Sequence, residues 1–582
     1  MRTYTRNNDD GSIHVLGNGK MCVYELGHDI IQLFGMPYSS PTFCDMTIDC
    51  DSVSERTANS CVYNHKLSNG AEITDFVHAD EPCFIRKINT ETEFEMKFNI
   101  TAPYQMVRND ELKVYRAYPG TKVYANHVST RYSSMAFTVR GNITLTESGM
   151  IVGEGESYIY FTGCQEYNEC IEIMEKILNT PYDELYADTL KWWSEYLKCG
   201  VKFNNDFDKI IEEIAVLIKA QQDKGGGVLA GYNYHLAYMR DQYGVSRGLL
   251  AMGHTEEAKN ILRHYKYIWE KEGTLHNAQG MGVDSIFHIH ENDNAEITGY
   301  LIIQAFDLYK ADGDTEFLDS LLPMLRWAME CQIAQIYNGM LPFNGDETYV
   351  AGGILPRHTL IHGSAEATLL FIKAGELYCN YTNDRDGFYE TVKMVKDSYK
   401  TNFIKDGFII ANNPKRMTFA EYPRFRYGVC EKCHDFYWNE KTDNGRYLCP
   451  KCHGTGMESA PEIEYILPSV ALVPFFMDID FITIDDIKTM IDKMIADYKE
   501  KKILPSTSFS TRNTGYDYGL FLTMLIKLDD PLKDEIYNKI IELLDDSGAW
   551  VEYYDDAHPS GTRCRPWESG INISACVEYN KI

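Results

Sequence analysis

The chain has 582 residues, 44% of them hydrophobic, which is too long for one compact core and apolar enough to fold into several. Fifty-six Lys and Arg stand against 85 Asp and Glu, a net charge of −29, which argues against a nucleic-acid partner because phosphate binding needs surplus cations. No run of about eighteen apolar residues occurs, so no membrane partner is expected.

The opening MRTYTRNNDDGSIHVLGNGK lacks the apolar stretch of a secretory signal, and twelve of the sixteen cysteines are scattered singly. Together they read as reduced thiols in a cytoplasmic protein. Segments such as KMCVYEL, EFEMKFNI and MAFTVRGNITLT alternate apolar and polar residues between turn-forming Gly, Asn, Asp and Pro. They predict an antiparallel β-sandwich over residues 1–180. DELYADTLKWWSEYLKCG (183–200), with Trp192 and Trp193, predicts a helical linker within 181–204 that packs against both halves.

From there the period becomes helical. Roughly twelve helices are expected, near 206–222, 236–252, 255–271, 294–310, 315–337, 363–382, 385–402, 461–475, 484–500, 514–528, 531–546 and 567–580. Asp293, three residues before Glu296, and Thr255, before Glu256 and Glu257, read as start signals. Short connections alternate with long loops at 272–292 and 338–362, a pattern that suits six helical hairpins closed into an (α/α)6 toroid over 205–582. The run Gly225, Gly226 and Gly227 has no following GK[ST] and reads as a flexible loop rather than a phosphate site.

Within the helical half stands CEKCHDFYWNEKTDNGRYLCPKCHG (430–454), in which fifteen residues separate two CxxC pairs. Cys430, Cys433, Cys449 and Cys452 supply four thiolates, a closed tetrahedral shell for zinc with no position left for water or substrate. The expectation is a structural zinc-ribbon-like insertion over 424–456, stabilised by its metal, with a redox dithiol as the alternative; His434 and His453 could replace a cysteine as ligand but read as bystanders. No cofactor is expected for catalysis.

Four segments place polar residues where long loops meet helix starts. YNYHLAYMRDQYG (232–244) carries Tyr238, Arg240 and Asp241, which can hold sugar hydroxyls and stack on a ring, or can form a surface ion pair. HIHENDNAEITGY (288–300) carries Asn292 and Asp293, able to bind hydroxyls or to cap the helix. GMLPFNGDETYVAGG (339–353) holds Asp346 and Glu347, and WVEYYDDAHPSGTRCRPWESG (550–570) holds Glu552, Glu568 and Trp567. A pair of carboxyl groups, one protonated and one ionised, is what glycoside hydrolysis requires.

In this order the segments resemble glycoside hydrolase family 15, the glucoamylase-like enzymes of the six-hairpin glycosidase superfamily. LGNGKMCVYELGHDIIQLFGMPYSSPTF resembles the opening of the sandwich on bacterial members, YMRDQYGVSRGLLAMGH the helix bearing a sugar-binding Arg-Asp pair, and HENDNAEITGYL the Asn-Asp segment. GDETY stands where the family has its general acid, and VEYYD precedes Trp567 much as the family's base precedes its last helix. The resemblance implies an inverting, exo-acting hydrolase that releases monosaccharide from the non-reducing end of α-linked oligosaccharides. Glu347 would be the acid (Asp346 in reserve) and Glu552 the base (Glu568 in reserve). Tyr238, Arg240, Asp241, Asn292, Asp293 and Trp567 would bind substrate. The zinc insertion is foreign to the family pattern. Two other readings stay open: a glycoside phosphorylase on the same fold, and a non-catalytic sugar-binding or zinc adaptor protein. Neither the sugar, the linkage nor the oligomeric state is encoded legibly.

Overall fold

The computed structural model describes residues 3–5, 13–35, 38, 42–101, 104–109, 112–117, 133–146, 149–281, 287–288, 293–342, 362–417, 468–504 and 512–582. The expected helices 461–475 and the loop 338–362 are therefore described only in part, and the zinc-ribbon segment lies outside the described residues.

The N-terminal part is a 13-stranded antiparallel sheet between Thr3 and Cys164. Its strands form one branched hydrogen-bonded network. The long strand Cys83–Ile100 pairs with Glu72–Val77 along its first half and with Cys44–Thr47 at its end, so a single strand joins two arms of the sheet. Alternation places Phe94, Met96 and Phe98 inward and Glu93, Glu95 and Lys97 outward, the period-2 pattern of a half-buried strand.

Two helices follow, α1 (Tyr167–Leu178) and α2 (Tyr182–Leu197). The first corrects the sequence reading, which took the segment to 180 as β-structure: Cys170, Met174 and Ile177 form a helical stripe against the sheet. On α2, Tyr182 and Tyr186 pack edge-on to Phe76 of the sheet, while Tyr196 donates to Ala215 O at 3.3 Å in α3 (Phe207–Gln221). Trp193 between them is fully buried, an area worth roughly 4–6 kcal/mol of transfer free energy.

The remaining helices are α4 (Met239–Met252), α5 (Thr255–Glu272), α6 (Asp293–Asp312), α7 (Thr315–Ile333), α8 (Ala365–Thr382), α9 (Tyr389–Phe403), α10 (Pro468–Ala471), α11 (Val473–Phe476), α12 (Lys488–Lys501), α13 (Asp517–Leu528), α14 (Leu532–Glu542) and α15 (Pro566–Asn580). The expected helix ending near 475 is broken into α10 and α11, where Pro474 removes a backbone donor. Thr255 opens α5 as its first residue, with His254 as the cap and no capping side-chain bond.

Helices α4, α6, α8, α13 and α15 are buried on nearly every face. In space α13 packs on α15, α15 on α4, α4 on α6 and α6 on α8, while α5, α7, α9 and α14 cover them from outside. Small residues set the closest approach: a Cβ added at Gly248 of α4 would lie 2.5 Å from Gly570 Cα of α15. The sheet seats directly on this assembly. Tyr24 donates to Gln221 Oε1 at 2.6 Å, Arg56 pairs with Glu213 at 2.9 Å, and Cys564 Sγ donates to Ile13 O at 3.4 Å.

The glycine run at 225–227, expected as a flexible loop, is held by turn hydrogen bonds. Gly226 sits at φ +106° with Asn260 O 2.0 Å from where its Cβ would be, and Asp223 accepts from Gly227 N at 3.0 Å. It is a tight turn closed by a carboxylate, which leaves no amide cradle for phosphate.

Candidate active site

Each of the five buried helices carries an acidic residue in its first turn: Asp241 on α4, Glu296 on α6, Glu366 on α8, Asp517 on α13 and Glu568 on α15. All five are buried, at 0–7% exposure. Helix N-termini favour carboxylates through unpaired amides and the macrodipole, so this is where buried acids are least costly. Side-chain contacts join the five starts into one continuous floor. Tyr516, which caps α13, packs edge-on to Trp567 of α15 at 5.0 Å. Arg565, which caps α15, reaches Asp241 of α4 at 3.1 Å. Arg240 pairs with Glu296 of α6 at 3.2 Å, and Tyr300 of α6 donates to Glu366 of α8 at 2.5 Å.

Short sheets border the floor. Ala237–Tyr238 pairs with Ala278–Gln279 and on to Phe287–His288 just before α4, and Gly363–Ser364 pairs with Asn412–Asn413 just before α8. Arg512–Thr514, Tyr553–Asp555 and His558–Ser560 form a third sheet before α13 and α15. Short extended ladders therefore lead directly into α4 and α8 and lie close before α13 and α15.

The densest part of the floor surrounds Arg565. Its guanidinium donates to both oxygens of Glu568, at 2.8 and 3.0 Å, to Asp241 Oδ1 and to Ala230 O, and lies 5.3 Å from the Tyr234 ring centre. Glu552, half-buried, accepts from Tyr234 OH at 3.1 Å and from Thr562 N at 2.9 Å. Gly561, at φ +73°, keeps that corner open, since a Cβ there would lie 2.8 Å from Glu552 Oε2. Two carboxylates, Asp241 and Glu568, thus share one guanidinium, with Glu552 held nearby by Tyr234 and Thr562. Burial pushes Glu568 up to about 8, with Asp241 and Glu552 adding to the rise and Arg565 opposing it. Burial and then Glu552 push Tyr234 up to about 12, so it remains a donor. Burial likewise raises Asp517 to about 7, and raises Glu366 against the pull of Tyr300 and Arg240. A carboxyl that keeps its proton near neutral pH beside one placed to ionise is the arrangement acid–base chemistry needs.

The structure places Tyr238 as the cap of α4, its ring 6.0 Å from that of Tyr234, and Asp293 as the first residue of α6, 3.4 Å from His276 Nδ1. Arg240 and Asp241 are adjacent in sequence but reach opposite ways, to Glu296 and to Arg565, and Asp241 is buried, so they do not form the surface pair considered above. Trp567 is 5% exposed and packs against Tyr516 and the Gly244 backbone rather than standing open. Asn292, Asp346 and Glu347 lie outside the described residues, as do Cys430, Cys433, Cys449 and Cys452. Sequence reasoning passed over Glu366, Arg565, Tyr234, Tyr300 and Asp517, and took Glu296 as part of a cap. The available signal was positional: each acid falls within four residues of an inner helix start.

No family model matches the chain, and no curated protein is similar to it in sequence. Solved structures match it in fold. A bacterial glucoamylase complexed with acarbose superposes with a TM-score of 0.62 at 11% identity, over 98% of this chain and 94% of that one. A protein from the human microbiome assigned as a kojibiose phosphorylase gives 0.56 at 9%, over 99% and 88%. A family GH92 α-mannosidase from Bacteroides thetaiotaomicron gives 0.51 at 9%, over 95% and 77%. At these identities the likeness speaks for the fold alone, which this chain shares with all three.

Proposed function

We propose that the chain is an inverting, exo-acting glycoside hydrolase of glucoamylase type, releasing monosaccharide from the non-reducing end of α-linked oligosaccharides. The observation that carries this reading is the floor of first-turn carboxylates with Glu552 at its half-open edge. In this mechanism Glu552, ionised and oriented by Tyr234 and Thr562, takes a proton from the attacking water. Glu347 (or Asp346) protonates the leaving oxygen from the opposite side, about 6.5–9.5 Å away, which leaves room for the water. Asp241 and Arg240 hold the terminal sugar, with Tyr238, Asn292 and Asp293 around it and Trp567 backing them from its packed position. The inner helices close as a toroid, and the four motif cysteines hold a structural zinc beside it.

A phosphorylase is the second reading, favoured by the likeness to the kojibiose phosphorylase. Electrostatics supports water over phosphate. A phosphate dianion would enter beside Asp241, Glu296 and Glu552, where the Arg240 and Arg565 guanidiniums already carry carboxylate partners. The test is a panel of α-linked disaccharides with and without phosphate, followed by NMR of the nascent anomer. Phosphate-independent release of the inverted sugar is expected, and Glu552→Gln should lower kcat by about 10²–10⁴ with KM near normal. Strict phosphate dependence would transfer the case to the second reading, and wild-type turnover in Glu552→Gln would remove the base.

A further inference from the structure

At the centre of the sheet, far in sequence from the floor just described, five ionisable side chains are buried together: His14, Glu25, His65, Asp75 and Arg86, each at 0–1% exposure. They come from five strands, and the register brings them into line: His14 lies opposite Glu25, and Asp75 opposite Arg86. Burying so many charged groups is costly unless each is matched, so the cluster needs an explanation that packing does not supply.

Three of these residues converge. A ring nitrogen of His14, a ring nitrogen of His65 and a carboxylate oxygen of Glu25 all lie within 4.8 Å of one another. His14 Nε2 is 2.9 Å and His65 Nε2 3.5 Å from Glu25 Oε2, close to the roughly 3.4 Å expected between ligands of a four-coordinate zinc with bonds near 2.0–2.1 Å. His65 Nε2 and Glu25 Oε1 are both fully buried and, among the described residues, make ion-pair contacts but no hydrogen bond of good geometry. The other face of His65 is fixed from behind, since Ser54 Oγ lies 2.6 Å from Nδ1, the outer contact that aims Nε2 at the convergence point. Asp75, 3.2 Å from His65 Nε2, is held by Arg86 through 2.6 and 2.9 Å bonds and adds a second negative charge beside the point.

We propose that His14, His65 and Glu25 form a closed structural site for a divalent transition metal, zinc by donor type, with both Glu25 oxygens completing four-fold coordination. The rival occupant is a single proton on His65, which would balance Glu25 and Asp75 against Arg86 without a metal. Arg86, 3.6 Å from Glu25 Oε1, works in favour of that rival.

The experiment uses the full chain carrying Cys430→Ser and Cys433→Ser, which disables the cysteine motif, purified from zinc-supplemented medium. Elemental analysis should find about one zinc per chain, lost on His14→Ala in the same background with the fold checked by circular dichroism. Should the His14 variant fail to fold, cobalt titration of the metal-stripped cysteine variant still decides. Visible bands of four-coordinate cobalt, without the near-ultraviolet thiolate band, support the site. A background variant that holds no zinc and gives no cobalt spectrum overturns it and leaves the proton.

Discussion

Glu568 makes a stability prediction with a definite sign. Its folded-state value of about 8 stands above the ordinary 4.5, so between those two values the folded chain keeps a proton that the unfolded chain has released. Stability must therefore fall as pH rises through that window and level off above about 8. At 1.36 kcal/mol for each tenfold, the full drop attributable to this one group is about 5 kcal/mol. Asp517 and Asp223, both raised to about 7 by burial, tilt the curve the same way. The perturbation is Glu568→Gln. It removes the titration but keeps the side-chain volume, and loss of the Arg565 pair shifts the whole curve without adding a slope. Urea unfolding at half-unit steps from pH 5 to 9 gives both curves, and their difference isolates Glu568. The expected result is a wild type that loses several kcal/mol more than the variant across the window. Parallel curves would mean that Arg565 holds Glu568 ionised throughout, so that Glu568 keeps no proton near neutral pH.

Gly248→Ala should destabilise the chain by about 3 kcal/mol in urea melts, because its methyl meets the Gly570 backbone rather than a side chain that can turn aside. Tyr300→Phe removes the donor to buried Glu366 and should cost about 1–3 kcal/mol in the same assay, with the variant still folded by circular dichroism. Cys449→Ser should lower zinc content by about one per chain and lower Tm, read by elemental analysis and calorimetry.

The inner helices could be read from the sequence because they are long and punctuated: α6 was expected at 294–310 and runs Asp293–Asp312, and α15 was expected at 567–580 and runs Pro566–Asn580. Helix α1 escaped because twelve residues with a short stripe sit directly after a strand, where local pattern is weak. For the site, adjacency of Arg240 and Asp241 was visible, but their partners were not. Glu296 lies 56 residues from Arg240, and Arg565 lies 324 from Asp241, distances that only the packing of α4 on α6 and α15 abolishes. The role of Glu296 was missed for a related reason. An acid in a first turn is equally what capping and what a charged floor would place there, and sequence spacing cannot separate the two.

The seating of the sheet on the helices has a practical consequence. Gln32 Oε1 lies 2.9 Å from His235 Nε2, Tyr24 bonds Gln221, and Ile13 O receives the thiol immediately before Arg565. The strands therefore brace, from behind, the very segments that aim Tyr234 and Arg565. A fragment trimmed to the helices alone would lose that backing behind Tyr234 and Arg565. Anyone seeking a minimal version of this molecule should expect to carry the whole N-terminal third along, as a jig rather than as cargo.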